Sequence, residues 1–276
     1  MTKEFIRKKV RERYSRVAKE QRSCCGPSPT CCGSANTADA IAQKIGYSEK
    51  DIVAAPEGAN LGLGCGNPVA LASLQPGEIV LDLGSGPGFD CFLAARRVGD
   101  TGRVIGVDMT PDMVSRAREN ARKGSYINVE FRLGEIEHLP VADNSVDVII
   151  SNCVINLSID KSQVFQEAFR VLKSNGRLMI SDIVLLKPLP EFLQQSVAAY
   201  VGCISGAMQK QEYLETVHAA GFQQVRILKE TPFSLDCVRT DPTAQAIIAD
   251  LKISPEILNG IEGSIFSIHL TGQKAG

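Results

Sequence analysis

Between residues 78 and 184 the chain alternates short apolar runs with longer segments of helical period, which narrows the folds open to it. Strands are expected at 78–83, 102–108, 128–133, 146–151 and 177–184. Helices are expected at 88–98, at 111–123 behind Pro111, and at 161–172. Strands separated by helices of ten or more residues build parallel βαβ units with right-handed crossovers. The flanks have a different rhythm. An amphipathic helix is predicted over 3–19, a loop over 21–36, short helices over 37–45 and 48–54, and no regular element over 58–68, which holds four glycines. Beyond Pro190 the pattern gives helices near 190–201 and 210–220, strands near 223–230 and 264–271, and a helical insert around 242–261. The expected fold class is α/β, with a mostly parallel seven-stranded sheet, an N-terminal helical extension and a C-terminal cap. Its expected divisions are 1–66, 67–187 and 188–276.

The bulk chemistry excludes several partners. Thirty basic residues stand against 31 acidic ones, for a net charge of −1, so nothing draws the chain to nucleic acid or to an anionic membrane. No run of eighteen apolar residues exists to span a bilayer. The charged stretch 1–19 lacks the apolar centre of a secretory signal. A cytoplasmic setting is therefore expected, with its nine cysteines mostly as thiols.

The segment from Val80 through Asp82, Gly84, Ser85 and Gly86 to Gly88 ends a strand and opens a helix. Glycines let the backbone turn sharply and approach a ligand. Twenty residues past Gly88, Asp108 closes the next strand, where a carboxylate can accept ribose hydroxyls. The spacing is G-x-G-x-G rather than the dinucleotide pattern G-x-G-x-x-G, and Asp82 lies two residues before the first glycine. That carboxylate would repel a pyrophosphate and attract an amino group. A plain tight turn or a nicotinamide site fits these residues less well. The segment resembles motif I of the class I S-adenosylmethionine-dependent methyltransferases. The resemblance extends through Gly134, Glu135 and Ile136, through the strand ending at Ser151 and Asn152, and through Arg170 to Leu178. It implies a Rossmann-like core over 67–187, with S-adenosylmethionine held by Asp82, Gly84, Ser85, Gly86, Gly88, Asp108, Met109, Glu135, Ile136 and Asn152.

The methyl acceptor is a separate question. An oxygen or nitrogen acceptor usually needs a positioned base. None of His138, His218 and His269 sits at a strand tip beside a polar motif, and Glu57 and Glu135 have no orienting partner. The thiols are better placed. Cys153 follows Asn152 at the ligand edge, Cys65 lies in the glycine-rich segment, and Cys203 lies in the tail. Their separations are too long for a local zinc signature. Three thiolates without a fourth ligand suit a pyramidal centre with a lone pair, such as trivalent arsenic. Cys91 and Cys237 read as packing residues. Cys24-Cys25 and Cys31-Cys32 form a doubled pair that could be a zinc site, an incidental loop or a relay.

The segments 60–68, 151–157 and 201–207, taken with the N-terminal helix and the Cys-Cys loop, look like the arsenite S-adenosylmethionine methyltransferases. The resemblance implies As(III) held by Cys153 and Cys203. Cys65 would assist and then form a disulfide that reduces the pentavalent product. One of Cys24, Cys25, Cys31 and Cys32 would join that redox step. The substrate would be arsenite or methylarsenite, with thioredoxin or glutathione as thiol reductant and 188–276 as the substrate-binding region. The alternatives are a quinone or other small-molecule C-methyltransferase, which would not need Cys65 or Cys203, and a non-catalytic metalloid-binding protein, which would not need the cofactor motif. Thiolate character in the arsenic ligands is expected as well.

Overall fold

A computed structural model describes residues 2–20, 37–232 and 263–276. Cys24, Cys25, Cys31, Cys32 and Cys237 lie outside the described residues, as does the helical insert expected over 242–261.

The chain opens with α1 (Lys3–Glu20), α2 (Thr37–Lys44), α3 (Glu49–Ala54) and α4 (Pro68–Leu71). The alternating core follows as β1 (Ile79–Leu83), α5 (Phe89–Val98), β2 (Arg103–Asp108), α6 (Pro111–Lys123), β3 (Val129–Leu133), β4 (Val146–Asn152), α7 (Lys161–Val171) and β5 (Leu172–Leu185). The remainder gives α8 (Glu191–Gln194), α9 (Val197–Val201), α10 (Lys210–Ala219), β6 (Gln223–Pro232) and β7 (Ile265–Gln273). The seven strands form one sheet in the order β3-β2-β1-β4-β5-β7-β6. The first five are parallel, and β7 and β6 are antiparallel additions at one edge. Parallel strands carry helices on both faces, so they read as continuous apolar runs. Val80 to Leu83 are accordingly all buried.

The chain walks outward from β1 to β2 and β3, then returns to the other side of β1 as β4. The reversal opens a crevice beyond the C-terminal ends of β1 and β4, where open α/β sheets bind ligands. Helix α1 covers that crevice. Its Val10, Tyr14 and Val17 line the pocket beneath it, while its polar side is tied to the core. Ser15 hydrogen-bonds Asp112, Arg116 donates to the Ala18 carbonyl at 2.8 Å, and Arg11 pairs with Glu135 at 3.4 Å.

Three local expectations change. The helix foreseen over 190–201 is broken, because the Ser196 hydroxyl accepts the Ala199 N–H at 3.2 Å and caps a new start. The fifth strand begins at Leu172, which pairs with Val146 before a register shift. The glycine-rich segment ends in a helical turn, because the Asn67 side chain accepts the Ala70 N–H at 2.9 Å and Pro68 occupies the first turn.

Candidate active site

One pocket lies under α1 and runs from the glycine loop to the cysteines. Asp82, Gly84, Ser85, Gly86, Asp108, Met109, Ile136, Asn152, Cys65, Cys153 and Cys203 all contribute to its wall. Two expected cofactor residues stand apart from that wall. Gly88 caps α5 at φ 98° and packs against Phe92 and Phe131. Glu135 faces a smaller adjoining hollow and pairs with Arg7 and Arg11 of α1.

The end of the pocket near the glycine loop is acidic. β1 delivers Asp82 and the first turn of α5 delivers Asp90, both buried. Burial pushes both carboxyls up, and at Asp82 the neighbouring Asp90 adds to the effect. Tyr47 donates to Asp90 Oδ1 at 2.6 Å, and Cys91 donates its thiol proton to Asp82 Oδ2 at 3.2 Å. Cys91 thus packs in the core but also touches the acid pair. Two neighbouring buried acids oppose each other's ionisation, and a bound ammonium would reverse that. At the tip of β2, Asp108 accepts the Gly86 N–H at 2.9 Å and the Thr110 N–H at 2.8 Å. The buried Ser85 Oγ has no hydrogen-bond partner among the described residues, as expected of a polar atom whose partner is a ligand.

The opposite end is sulfur. Cys65 arrives on a loop that touches the sheet closely. A side chain at Gly66 would collide with the His269 ring and with Ser181 Oγ at 2.7 Å, and Gly64 stands at φ +119° against Asn152. Both backbone groups of Cys65 are fixed. Its N–H donates to Asn152 Oδ1 at 3.0 Å, and its carbonyl accepts Ser267 Oγ at 2.7 Å. Cys153 follows β4 at φ 58°, and Cys203 follows α9 at φ 64°. Left-handed backbone costs a non-glycine residue on the order of 1–3 kcal/mol and persists only where its surroundings hold it. Here the Cys153 N–H donates to the Ser181 carbonyl at 2.8 Å and the Cys203 N–H to the Tyr200 carbonyl at 2.9 Å.

The three thiols share the pocket wall, with the Cys65 and Cys153 sulfurs within 4.8 Å of each other and Cys203 outside that group. Electrostatically each group feels the next, Tyr14 of α1 with Cys203, Cys203 with Cys153 and Cys153 with Cys65. Cys203 Sγ also lies 3.1 Å from the Cys153 carbonyl. All three thiols are pushed up. Burial is the main cause at Cys65. At Cys153 the bond from Cys203 favours the thiolate, but donation to Cys65 and burial outweigh it. At Cys203 donation to Cys153 leads, followed by burial. Contrary to the expected thiolate character, enclosure thus disfavours the charged sulfur and holds all three groups toward the thiol form.

Asn152 joins the two ends. Its amide nitrogen reaches the Gly66 carbonyl at 2.8 Å, Tyr47 Oη at 3.0 Å and Asp90 Oδ2 at 3.2 Å, while its oxygen holds the Cys65 N–H. Sequence reasoning missed Tyr14, Tyr47, Asp90 and Asp182. Asp90 reads as a common first-turn acid, and the other three carry no motif that marks them. Asp182 of β5 is fully buried within 4.8 Å of the Cys65 and Cys153 donor atoms, and burial lifts its carboxyl to about 7.

A sheet that reverses at β1, with a glycine loop and an acidic strand tip at the reversal, defines the Rossmann-like methyltransferase fold. A family model described as a methyltransferase domain matches residues 74–221, and the chain belongs to that family. It is 49% identical over 231 residues to an arsenite methyltransferase of Halobacterium salinarum, covering 81% of this chain and 59% of that protein. An arsenite methyltransferase of Aquipseudomonas alcaligenes is 41% identical over 179 residues, covering 62% of this chain and 51% of that protein. The chain thus spans little more than half the length of these curated relatives. Among solved structures it is similar to CrArsM, an arsenic(III) S-adenosylmethionine methyltransferase from Chlamydomonas reinhardtii. The TM-score is 0.63 and the identity 28%, over 91% of this chain and 75% of that one.

Proposed function

We propose that this chain transfers the methyl group of S-adenosylmethionine to trivalent arsenic held by Cys65, Cys153 and Cys203. The observation that carries this reading is the placement of three thiols in the same pocket as the acid pair. The cofactor supplies an electrophilic methyl on a sulfonium. Asp82 and Asp90 suit its ammonium group, Asp108 and the unpartnered Ser85 hydroxyl suit polar groups of the nucleoside, and Met109 and Ile136 offer apolar wall.

Protonated thiols are compatible with arsenite capture. Each S–H proton leaves with one hydroxide of As(OH)3 as water while an As–S bond forms, so three condensations release no net proton. Arsenic's lone pair then needs no base. The fixed Cys65 loop and the strained Cys153 and Cys203 backbones supply orientation, a contribution that reaches about 7–11 kcal/mol in favourable cases. Also proposed are a two-electron reduction that joins Cys65 to a second thiol, a role in it for one of Cys24, Cys25, Cys31 and Cys32, and a thiol reductant that restores the site in a reducing cytoplasm.

The test is purified protein with labelled S-adenosylmethionine, with and without arsenite, followed by arsenic speciation. Methylated arsenic that depends on Cys153 is expected. Labelled product of any other kind, or no arsenite-dependent turnover, rejects the proposal.

A further inference from the structure

We propose that Cys65, Cys153 and Asp182 form a second donor set, for a soft divalent cation of the zinc or cadmium type, which shares two thiols with the arsenic site. One ligand atom from each of these residues lies within 4.8 Å of the others, and Cys203 is outside this group. Around a tetrahedral zinc, with Zn–S about 2.3 Å and Zn–O about 2.0–2.2 Å, such atoms stand roughly 3.5–3.8 Å apart. The side chains therefore need to close by only about an ångström.

The carboxylate is prepared as a ligand. A carboxylate offers about four lone-pair sites. Asp182 Oδ1 accepts from Asn156 Nδ2 at 2.8 Å and from the Ile183 N–H at 2.9 Å, and Oδ2 accepts from Tyr213 Oη at 3.1 Å. One site on Oδ2 is left without a partner among the described residues. Ligating carboxylates are characteristically oriented by such outer hydrogen bonds. Charge also balances. Two thiolates and a carboxylate around a divalent ion leave one negative charge. Half-buried Lys161, which feels Asp182 electrostatically and donates to the Ser158 carbonyl at 2.9 Å, supplies one positive charge nearby. On binding, two thiol protons and any proton on Asp182 pass to the buffer as two metal–sulfur bonds and one metal–oxygen bond form.

The two ligand classes divide on hardness. Trivalent arsenic, with its lone pair, takes sulfur, whereas zinc and cadmium accept mixed sulfur and oxygen sets. The arsenic set is Cys65, Cys153 and Cys203. The cation set exchanges Cys203 for Asp182. Because Cys65 and Cys153 are common to both, cation and arsenite exclude each other. The cation site does not depend on methyl transfer.

The test uses the full chain, reduced, with Cys24, Cys25, Cys31 and Cys32 changed to Ser. Cadmium binding is read from the cadmium–thiolate charge-transfer band with a competing chelator. Arsenite binding is read from protection of the thiols against alkylation. Asp182→Asn should weaken cadmium by about 10–100-fold and leave arsenite protection unchanged. Cys203→Ser should do the reverse, and Cys153→Ser should lose both. Cadmium affinity unaffected by Asp182→Asn overturns the proposal. Equal loss of both ligands in that variant also overturns it, since the carboxylate would then be arranging the thiols. Should the variant fail to fold, the cadmium-113 resonance of the parent decides: a mixed sulfur–oxygen shift supports the site and an all-sulfur shift rejects it. If arsenite protects no thiol anywhere, the arsenic reading fails while the cadmium arms still decide this one.

Discussion

The two ends of the pocket are both largely enclosed and both strained, but in opposite ways. At the acid end the strain is electrostatic. Asp82 and Asp90 stand beside each other, and their carboxyls are pushed up. At the sulfur end it is conformational. Cys153 and Cys203 sit in left-handed backbone, and their thiols stay neutral. The first kind of strain is relieved by a cation and the second by nothing that binds. The acid end is thus adjusted by its ligand, whereas the backbone of the sulfur end is set before any ligand arrives. Asn152, bonded to both, is the joint between them.

The largest effect should come from the sulfur end. Cys153→Ser removes the thiol that neighbours Cys65, and arsenite-dependent methyl transfer should fall by about 100-fold or more, measured by product speciation at saturating cofactor. If Cys153→Ser keeps parental turnover, the sulfur end is not the acceptor site. Asn152→Ala tests the joint. It frees the Cys65 loop and one side of Asp90, so kcat should drop by up to about 100-fold through misplacement. Cofactor affinity should also weaken, and a change in only one of the two would show that the ends act separately.

Asp108→Ala touches only the cofactor end. Loss of hydrogen bonds to a charged group should weaken S-adenosylmethionine binding by about 10–100-fold with arsenite protection of the thiols intact, as read by calorimetry and alkylation. Next comes pH. Asp182 is protonated more readily in the folded chain than in the unfolded one. The stability it contributes is full below the ordinary 3.8 and is lost as pH rises through about 7. The unfolding free energy of the parent should therefore decline relative to that of Asp182→Asn between pH 4 and 7. The decline is at most about 4 kcal/mol, since each tenfold change in proton affinity is worth about 1.4 kcal/mol. An identical pH slope in both proteins would contradict this environment for Asp182. The smallest effect belongs to the exposed strap of α1. Arg11→Ala breaks a solvent-facing pair with Glu135, worth about 0–1 kcal/mol and screened by salt. A larger loss of thermal stability would mean that α1 is fastened mainly by its charges.

Much of the geometry at the acid end was legible in the chain. Gly84, Gly86, Asp82 and Asp108 are linked by one βα turn and the next strand, so short-range spacing carries their geometry. Asp90 escaped because an acid in a first helical turn has a common structural reading. Tyr47 escaped because its bond to Asp90 joins elements 43 positions apart. Asn152 was marked for the cofactor, yet no local pattern announced that it would also hold the Cys65 loop. At the sulfur end Cys65, Cys153 and Cys203 could be singled out, but no spacing encoded their arrangement in one pocket wall. Nor did anything local indicate that Tyr14 of α1 would reach Cys203.

By itself the sequence determined the parallel βαβ core, the glycine turn and which soft donors to single out, because hydrophobic period, backbone freedom and donor chemistry are properties of short segments. The tertiary structure alone decided that Asp182 stands beside the Cys65 and Cys153 thiols, that the thiols are pushed toward the neutral form, and that Asn152 ties both ends together. Each of these depends on burial and on contacts between residues tens of positions apart. Solvent exclusion by the assembled sheet and α1, absent from any single segment, sets the charge state of the buried groups in the pocket.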